Sequence, residues 1–122
     1  MFSTYNLIKR GPHVYTGGES DQPIEKILVD VKSFPETFNM TYQDVPKDAV
    51  TAAVRKVTEA VESGKDVLVR CEHGIGRSPT VAKLALIGMG EEFNCEGYCP
   101  VYGYSSFVRA NYWYYKNQDW KK

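Results

Sequence analysis

Between residues 48 and 63, Val50, Ala53, Val54, Val57, Ala60 and Val61 recur at helical spacing, while Thr51, Arg55, Lys56, Glu59 and Glu62 fill most of the opposite face. Such a stripe predicts an amphipathic helix with one side on a core. Pro46 or Asp48 opens this helix and Gly64 ends it. On either side the apolar residues run together. Ile24 to Val31, with Ile27-Leu28-Val29, reads as a buried central strand, and residues 66–70, with Val67-Leu68-Val69, as another. His13 to Thr16 predicts a short first strand, divided from Ile24 by the turn Gly17-Gly18-Glu19-Ser20-Asp21-Gln22-Pro23.

Strand, helix and strand in that order form a βαβ unit, whose strands are expected to be parallel and joined by a right-handed crossover. Residues 32–47 and 71–77 then meet at the carboxyl edge of the sheet, where α/β proteins gather their sites. Pro79 to Met89 is apolar nearly all round and predicts a central, buried helix. In the aromatic tail, Tyr104, Phe107, Val108, Tyr112 and Tyr115 fall at near-helical spacing and predict a last helix packed on the sheet.

With 122 residues, 43% of them hydrophobic and 25% charged, the chain has room for one core, so residues 1–122 are expected to form a single domain. Fifteen basic and fifteen acidic residues cancel, which gives no global field to attract nucleic acid or an anionic membrane. No apolar run approaches the roughly 20 residues that span a bilayer, and the N-terminus lacks a long apolar signal. The expectation is a soluble, cytoplasmic monomer with no nucleic-acid or membrane partner. Three cysteines, an odd number, suit a reducing compartment better than a disulfide framework. Cys95 and Cys99 would supply only half of a zinc site even with His13 or His73, so ordinary packing is expected for them and no metal or other cofactor is implied.

The chemistry lies after the second apolar run, in Cys71-Glu72-His73-Gly74-Ile75-Gly76-Arg77-Ser78-Pro79. Ser78-Pro79 is a helix-opening pair, so residues 71–77 form a strand-to-helix turn. Backbone N–H groups of such a turn, with the positive end of the next helix, hold an oxyanion. Gly74 and Gly76 let the backbone approach it closely. The same field favours a thiolate, because cysteines at helix N-termini fall from a pKa of about 8.5 to roughly 3.5–7.5. Arg77 adds a planar fork that matches two phosphoryl oxygens.

Cys71, five residues, Arg77 and Ser78, with Gly74 and Gly76 inside, resemble the Cys-x5-Arg loop of the cysteine-dependent protein tyrosine and dual-specificity phosphatases. The resemblance is strongest from Asp44 through Ile87 and extends weakly to Val14-Tyr15-Thr16-Gly17. It implies an α/β domain with a mostly parallel sheet flanked by helices and a phosphate-binding loop between a central strand and the next helix. It further implies metal-independent hydrolysis of phosphotyrosine, phosphoserine or phosphothreonine in a protein or peptide, through a phosphocysteine. Cys71 would attack phosphorus, residues 72–77 (Glu72, His73, Gly74, Ile75, Gly76 and Arg77) would bind its oxygens, and Ser78 would assist departure of the thiolate. Ser78 also suits helix capping.

An acid must protonate the leaving oxygen, and a base must activate the later water. Asp30, Glu36, Asp44 and Asp48 lie on the correct edge. Asp30 suits a turn or packing role and Asp48 an N-cap, whereas Asp44 sits in the loop Tyr42-Gln43-Asp44-Val45-Pro46. Its position 27 residues before Cys71 is similar to that of the family's general-acid loop, so Asp44 is the expected acid. Two departures stand out. Arg70 occupies the place where the family usually has a histidine, to supply positive charge or to point away, and the sequence beyond Gly90 does not match, leaving Gly103 to Ser106 as the region for the water-positioning loop. Glu72 and His73 stand where many lipid-directed relatives are basic, which disfavours a phosphoinositide. Tyr15, Tyr42 or Tyr104 are candidates to stack on a phosphotyrosine. Rhodanese-like sulfurtransferases and arsenate reductases use a cysteine loop of the same kind, and a loop without turnover would make a phosphate-binding module.

Overall fold

The computed structural model describes residues 7–35, 41–99 and 102–122. Four strands, β1 (Ile8–Gly11), β2 (Val14–Gly17), β3 (Ile27–Asp30) and β4 (Val67–Arg70), form one sheet in the order β1-β2-β4-β3. Helix α1 (Lys47–Glu62) joins β3 to β4, and α2 (Arg77–Met89), α3 (Tyr102–Ala110) and α4 (Tyr112–Lys116) follow. The β1-β2 pair is antiparallel, while β4 runs parallel to both neighbours, so the sheet is mixed and mostly parallel.

Strand β4 inherits the centre, with Val67, Leu68 and Val69 fully buried. Strand β3, expected to be central, is instead an edge. Its Ile27 and Leu28 are 39% and 38% exposed, and among the described residues β3 ends the strand order. Alternation places Val14, Val29, Val67 and Val69 in the same cluster as the buried faces of α1 and α2. Tyr15, Leu68 and Leu28 form a row across the other face, where Lys26 lies over the Tyr15 ring with its Nζ 4.6 Å from the centroid.

Helix α1 buries Val50, Ala53, Val54, Val57 and Ala60, the stripe its periodicity predicts. Its N-cap is Pro46, so Asp48 lies inside the first turn and is not the N-cap. There its charge still complements the positive end of the helix. Gly64 follows the C-cap residue Ser63 in the left-handed region at φ +77°. Helix α2 is buried on most sides and begins at Arg77, two residues before Pro79, because proline is compatible with any first-turn position that lacks an intrahelical N–H bond. Gly103 to Ser106 lie within α3, so they form a helical turn and not a loop. Tyr104, Phe107, Val108 and Tyr115 of the tail are buried, while Tyr112 faces outward.

Strand β1 has no counterpart in the apolar pattern. Its Arg10 is 1% exposed, donating from Nε to Thr16 Oγ1 (2.7 Å) and from Nη1 to the carbonyls of Asn94 (2.7 Å) and Glu96 (2.5 Å). No helix among the described residues is long and apolar enough to cross a membrane.

Candidate functional site

Parallel pairing aligns Gly17, Arg70 and Asp30 at the ends of β2, β4 and β3. The turns that leave these strands therefore share the carboxyl edge of the sheet. Cys71, the first residue past β4, is 2% exposed. Its N–H donates to the Gly17 carbonyl (3.2 Å), which continues the ladder one step beyond the strand.

The segment 71–76 then curls back over the sulfur. The Gly74 N–H donates to Cys71 Sγ at 3.3 Å, and Ser78 Oγ, in the first turn of α2, lies 3.3 Å from the same Sγ. Gly74 has φ +76°, and a Cβ there would stand 2.7 Å from the Gly17 carbonyl carbon. Only glycine fits that approach.

Three of the loop carbonyls are engaged by other parts of the chain. Glu72 C=O accepts from the Glu19 N–H (3.0 Å), Ile75 C=O from the Cys99 N–H (2.7 Å) and Gly76 C=O from the Thr80 N–H (3.1 Å) and hydroxyl (2.8 Å). A trans peptide sends the next N–H the opposite way. Among the described residues, neither the His73 nor the Gly76 N–H meets a protein acceptor. The loop thus combines a buried sulfur, the Gly74 N–H turned toward it and two N–H groups left without a protein acceptor, at the start of a 13-residue helix, where anions are favoured.

Arg77 is 4% exposed. Its Nη1 donates to the carbonyls of Lys32 (2.6 Å) and Phe34 (2.9 Å), which ties the segment after β3 to α2, and its Nη2 lies 3.7 Å from Glu72 Oε1. The Glu72 and His73 side chains are about half and three-fifths exposed, and they approach each other at 3.8 Å on the rim.

Asp44 ends a 3₁₀ turn (Tyr42–Asp44) that packs against α3. Its carboxylate accepts from the Thr41 N–H (2.8 Å) and hydroxyl (3.1 Å), within its own turn. Of the other acids on this edge, Asp30 accepts from the Lys32 N–H (2.9 Å) and pairs with Arg70 (3.2 Å), while Glu36 lies outside the described residues. Tyr104 is fully buried with its hydroxyl on the Pro35 carbonyl, which removes it as a stacking ring, whereas Tyr42 is 44% exposed beside Asp44.

Arg70 points away from Cys71 and donates to the Asp21 carbonyl (2.9 Å) as well as to Asp30. Sequence reasoning treated 17–23 only as a turn and missed its part in the site. Asp21 is 1% exposed, and its Oδ2 accepts the Gly18 N–H at 2.8 Å. Burial pushes its carboxyl above the usual range, opposed by that N–H and by the Arg70 charge. The alignment of Gly17 with Arg70 in a parallel register was the signal that could have found it. Cys95 and Cys99 are exposed thiols and not core residues, although the Cys99 backbone braces Ile75. Among the described residues, no group of three His, Cys, Asp or Glu side chains is placed to hold a metal ion.

No protein-family model matches the chain, and no curated protein matches it.

Proposed function

We propose that this protein hydrolyses phosphomonoesters, most plainly those on phosphorylated tyrosine, serine or threonine of a protein, without a metal and through a phosphocysteine. The observation that carries the reading is the Cys71 sulfur, 3.3 Å from both the Gly74 N–H and the Ser78 hydroxyl, at the start of helix α2. In this reading the Cys71 thiolate attacks phosphorus and displaces the ester oxygen. The amides of residues 72–77 and the Arg77 guanidinium take the charge of the three equatorial oxygens. Asp44 gives its proton to the leaving oxygen. It then takes one from the water that cleaves the phosphorus–sulfur bond, while Ser78 stabilises the departing thiolate.

The test is phosphate release from p-nitrophenyl phosphate and from a phosphotyrosine peptide in EDTA. Cys71→Ser is expected to abolish release, and Asp44→Ala to lower it roughly 100-fold to 10,000-fold on the peptide, whose leaving group needs a proton. Full activity of Cys71→Ser would refute the mechanism.

One observation favours a second reading. The Asp44 carboxylate is engaged by Thr41, as suits a phosphate-binding module without turnover. Tight phosphopeptide binding by the unmutated chain, with no phosphate released, would select it.

A further inference from the structure

We propose that Asp21 is a positioning residue for the Cys71 loop and that Arg70 acts on the site through it. The proposal rests on the reading of that loop as an oxyanion site. The turn 17–21 is the wall on which the loop is built. Gly17 C=O accepts the Cys71 N–H, the Glu19 N–H donates to Glu72 C=O, and the Gly17–Gly18 backbone stands where any side chain at residue 74 would have to go. The Ser78 hydroxyl, 3.5 Å away, also faces the Gly17 carbonyl.

The shape of this wall is set by a buried carboxyl group. The Asp21 carboxylate folds back onto Gly17, so closely that a Cβ on that glycine would lie 2.6 Å from Oδ2, and it holds the Gly18 N–H. Its other oxygen, Oδ1, is buried without a hydrogen-bond partner. A carboxyl group kept in so poorly solvated a place is costly, and what it gives the turn is the acceptor for the Gly18 N–H and the packing against Gly17. Arg70 locks the same residue from the backbone side through the Asp21 carbonyl and reaches across to Asp30, bridging the turns after β2 and β3. A side chain one residue before the nucleophile therefore shapes the loop without touching sulfur.

The experiment uses the full chain with Cys95→Ser and Cys99→Ser, so that iodoacetamide reports Cys71 alone. Tungstate is titrated as the protecting oxyanion, with melting temperature and p-nitrophenyl phosphate kinetics measured alongside. Asp21→Ala is expected to raise the half-protecting tungstate concentration at least 10-fold. Asp21→Asn, whose amide oxygen still accepts the Gly18 N–H, is expected to recover to within about 3-fold of the parent. Arg70→Gln is expected to fall between them. A folded Asp21→Ala with unchanged protection would overturn the proposal, as would an asparagine variant no better than alanine. If the alanine variant does not fold, parent-like protection in Asp21→Asn with weakened protection in Arg70→Gln supports the proposal, and parent-like protection in both overturns it. Protection requires no turnover. A parent chain that binds tungstate but releases no phosphate sinks the hydrolase reading and leaves this one standing, whereas a parent that tungstate does not protect sinks both.

Discussion

Replacing Gly74 by alanine separates two effects that usually arrive together. Gly74 (φ +76°) and Gly64 (φ +77°) have nearly the same left-handed backbone, but a Cβ on Gly64 meets nothing within 4 Å. A Cβ on Gly74 meets Gly17 C at 2.7 Å, Gly18 N at 2.9 Å and Gly17 O at 3.0 Å. These are backbone atoms held by the sheet and by the Cys71 N–H, so they cannot swing aside as a flexible side chain would. The conformational cost is shared, about 1–2 kcal/mol for an alanine in that region. The steric cost belongs to Gly74→Ala alone, and forcing an extra carbon into close-packed surroundings typically adds about 1–3 kcal/mol. At roughly 3–5 °C per kcal/mol for a domain of this size, Gly64→Ala should lower the melting temperature by about 3–10 °C and Gly74→Ala, at about 2–5 kcal/mol in all, by about 6–25 °C. Parallel calorimetric or urea titrations of both variants measure the difference. If the two destabilise equally, the loop can retreat from Gly17 freely and the argument for a braced loop fails. On the proposed hydrolase reading, phosphate release in the folded fraction of Gly74→Ala should drop by about 100-fold, the usual consequence of a displacement near 1 Å at a reacting centre.

Two further predictions concern groups outside the loop. Tyr115 is fully buried with its hydroxyl 2.8 Å from Thr51 Oγ1, and burial pushes the phenol up to about 12. Its stabilising contribution is therefore complete below the unfolded value near 10 and is lost as pH rises from 10 through 12, by about 3 kcal/mol at roughly 1.4 kcal/mol per unit. Urea unfolding at pH 8 and pH 11.5, which spans most of that window, should show a loss about 2 kcal/mol larger in the unmutated chain than in Tyr115→Phe; equal losses would contradict it. Arg10→Met strands the Thr16 hydroxyl and the carbonyls of Asn94 and Glu96, for a cost of about 3 kcal/mol. Hydrogen exchange should accelerate selectively through residues 91–99, and unchanged protection there would show that Arg10 does not hold the segment.

The parts of the fold that could be read from the sequence are those in which one element carries its own period. Helix α1 is the clearest, since six apolar positions at helical spacing require a buried face whatever lies opposite. Two apolar runs show that two strands exist, but not which is central. Val67-Leu68-Val69 and Ile27-Leu28-Val29 look alike. Only the order β1-β2-β4-β3, fixed by a hairpin pairing before Val14, exposes the second run. That hairpin was hidden because β1 reads Ile-Lys-Arg-Gly, with the buried position occupied by Arg10. A buried arginine donating to three acceptors is packing of a kind that hydrophobic patterning does not detect.

The candidate site divides along the same line. Cys71, Gly74, Arg77 and Ser78 are contiguous, so local geometry alone brings sulfur, amide and hydroxyl together, and a motif could announce them. The wall behind them comes from residues 17–21, far earlier in the chain, and it becomes a wall only through the parallel register that sets Gly17 beside Arg70. For Asp44 the sequence gives an edge and a loop, but whether its carboxylate faces the sulfur or caps its own turn depends on a competition with the nearby Thr41 donors. Arg70 makes the same point. Read as a charge beside a thiol, it would stabilise the thiolate directly. Its two hydrogen bonds run to Asp21 and Asp30, so the work available to it is mechanical, and replacing it by another cation of different reach should not preserve that work.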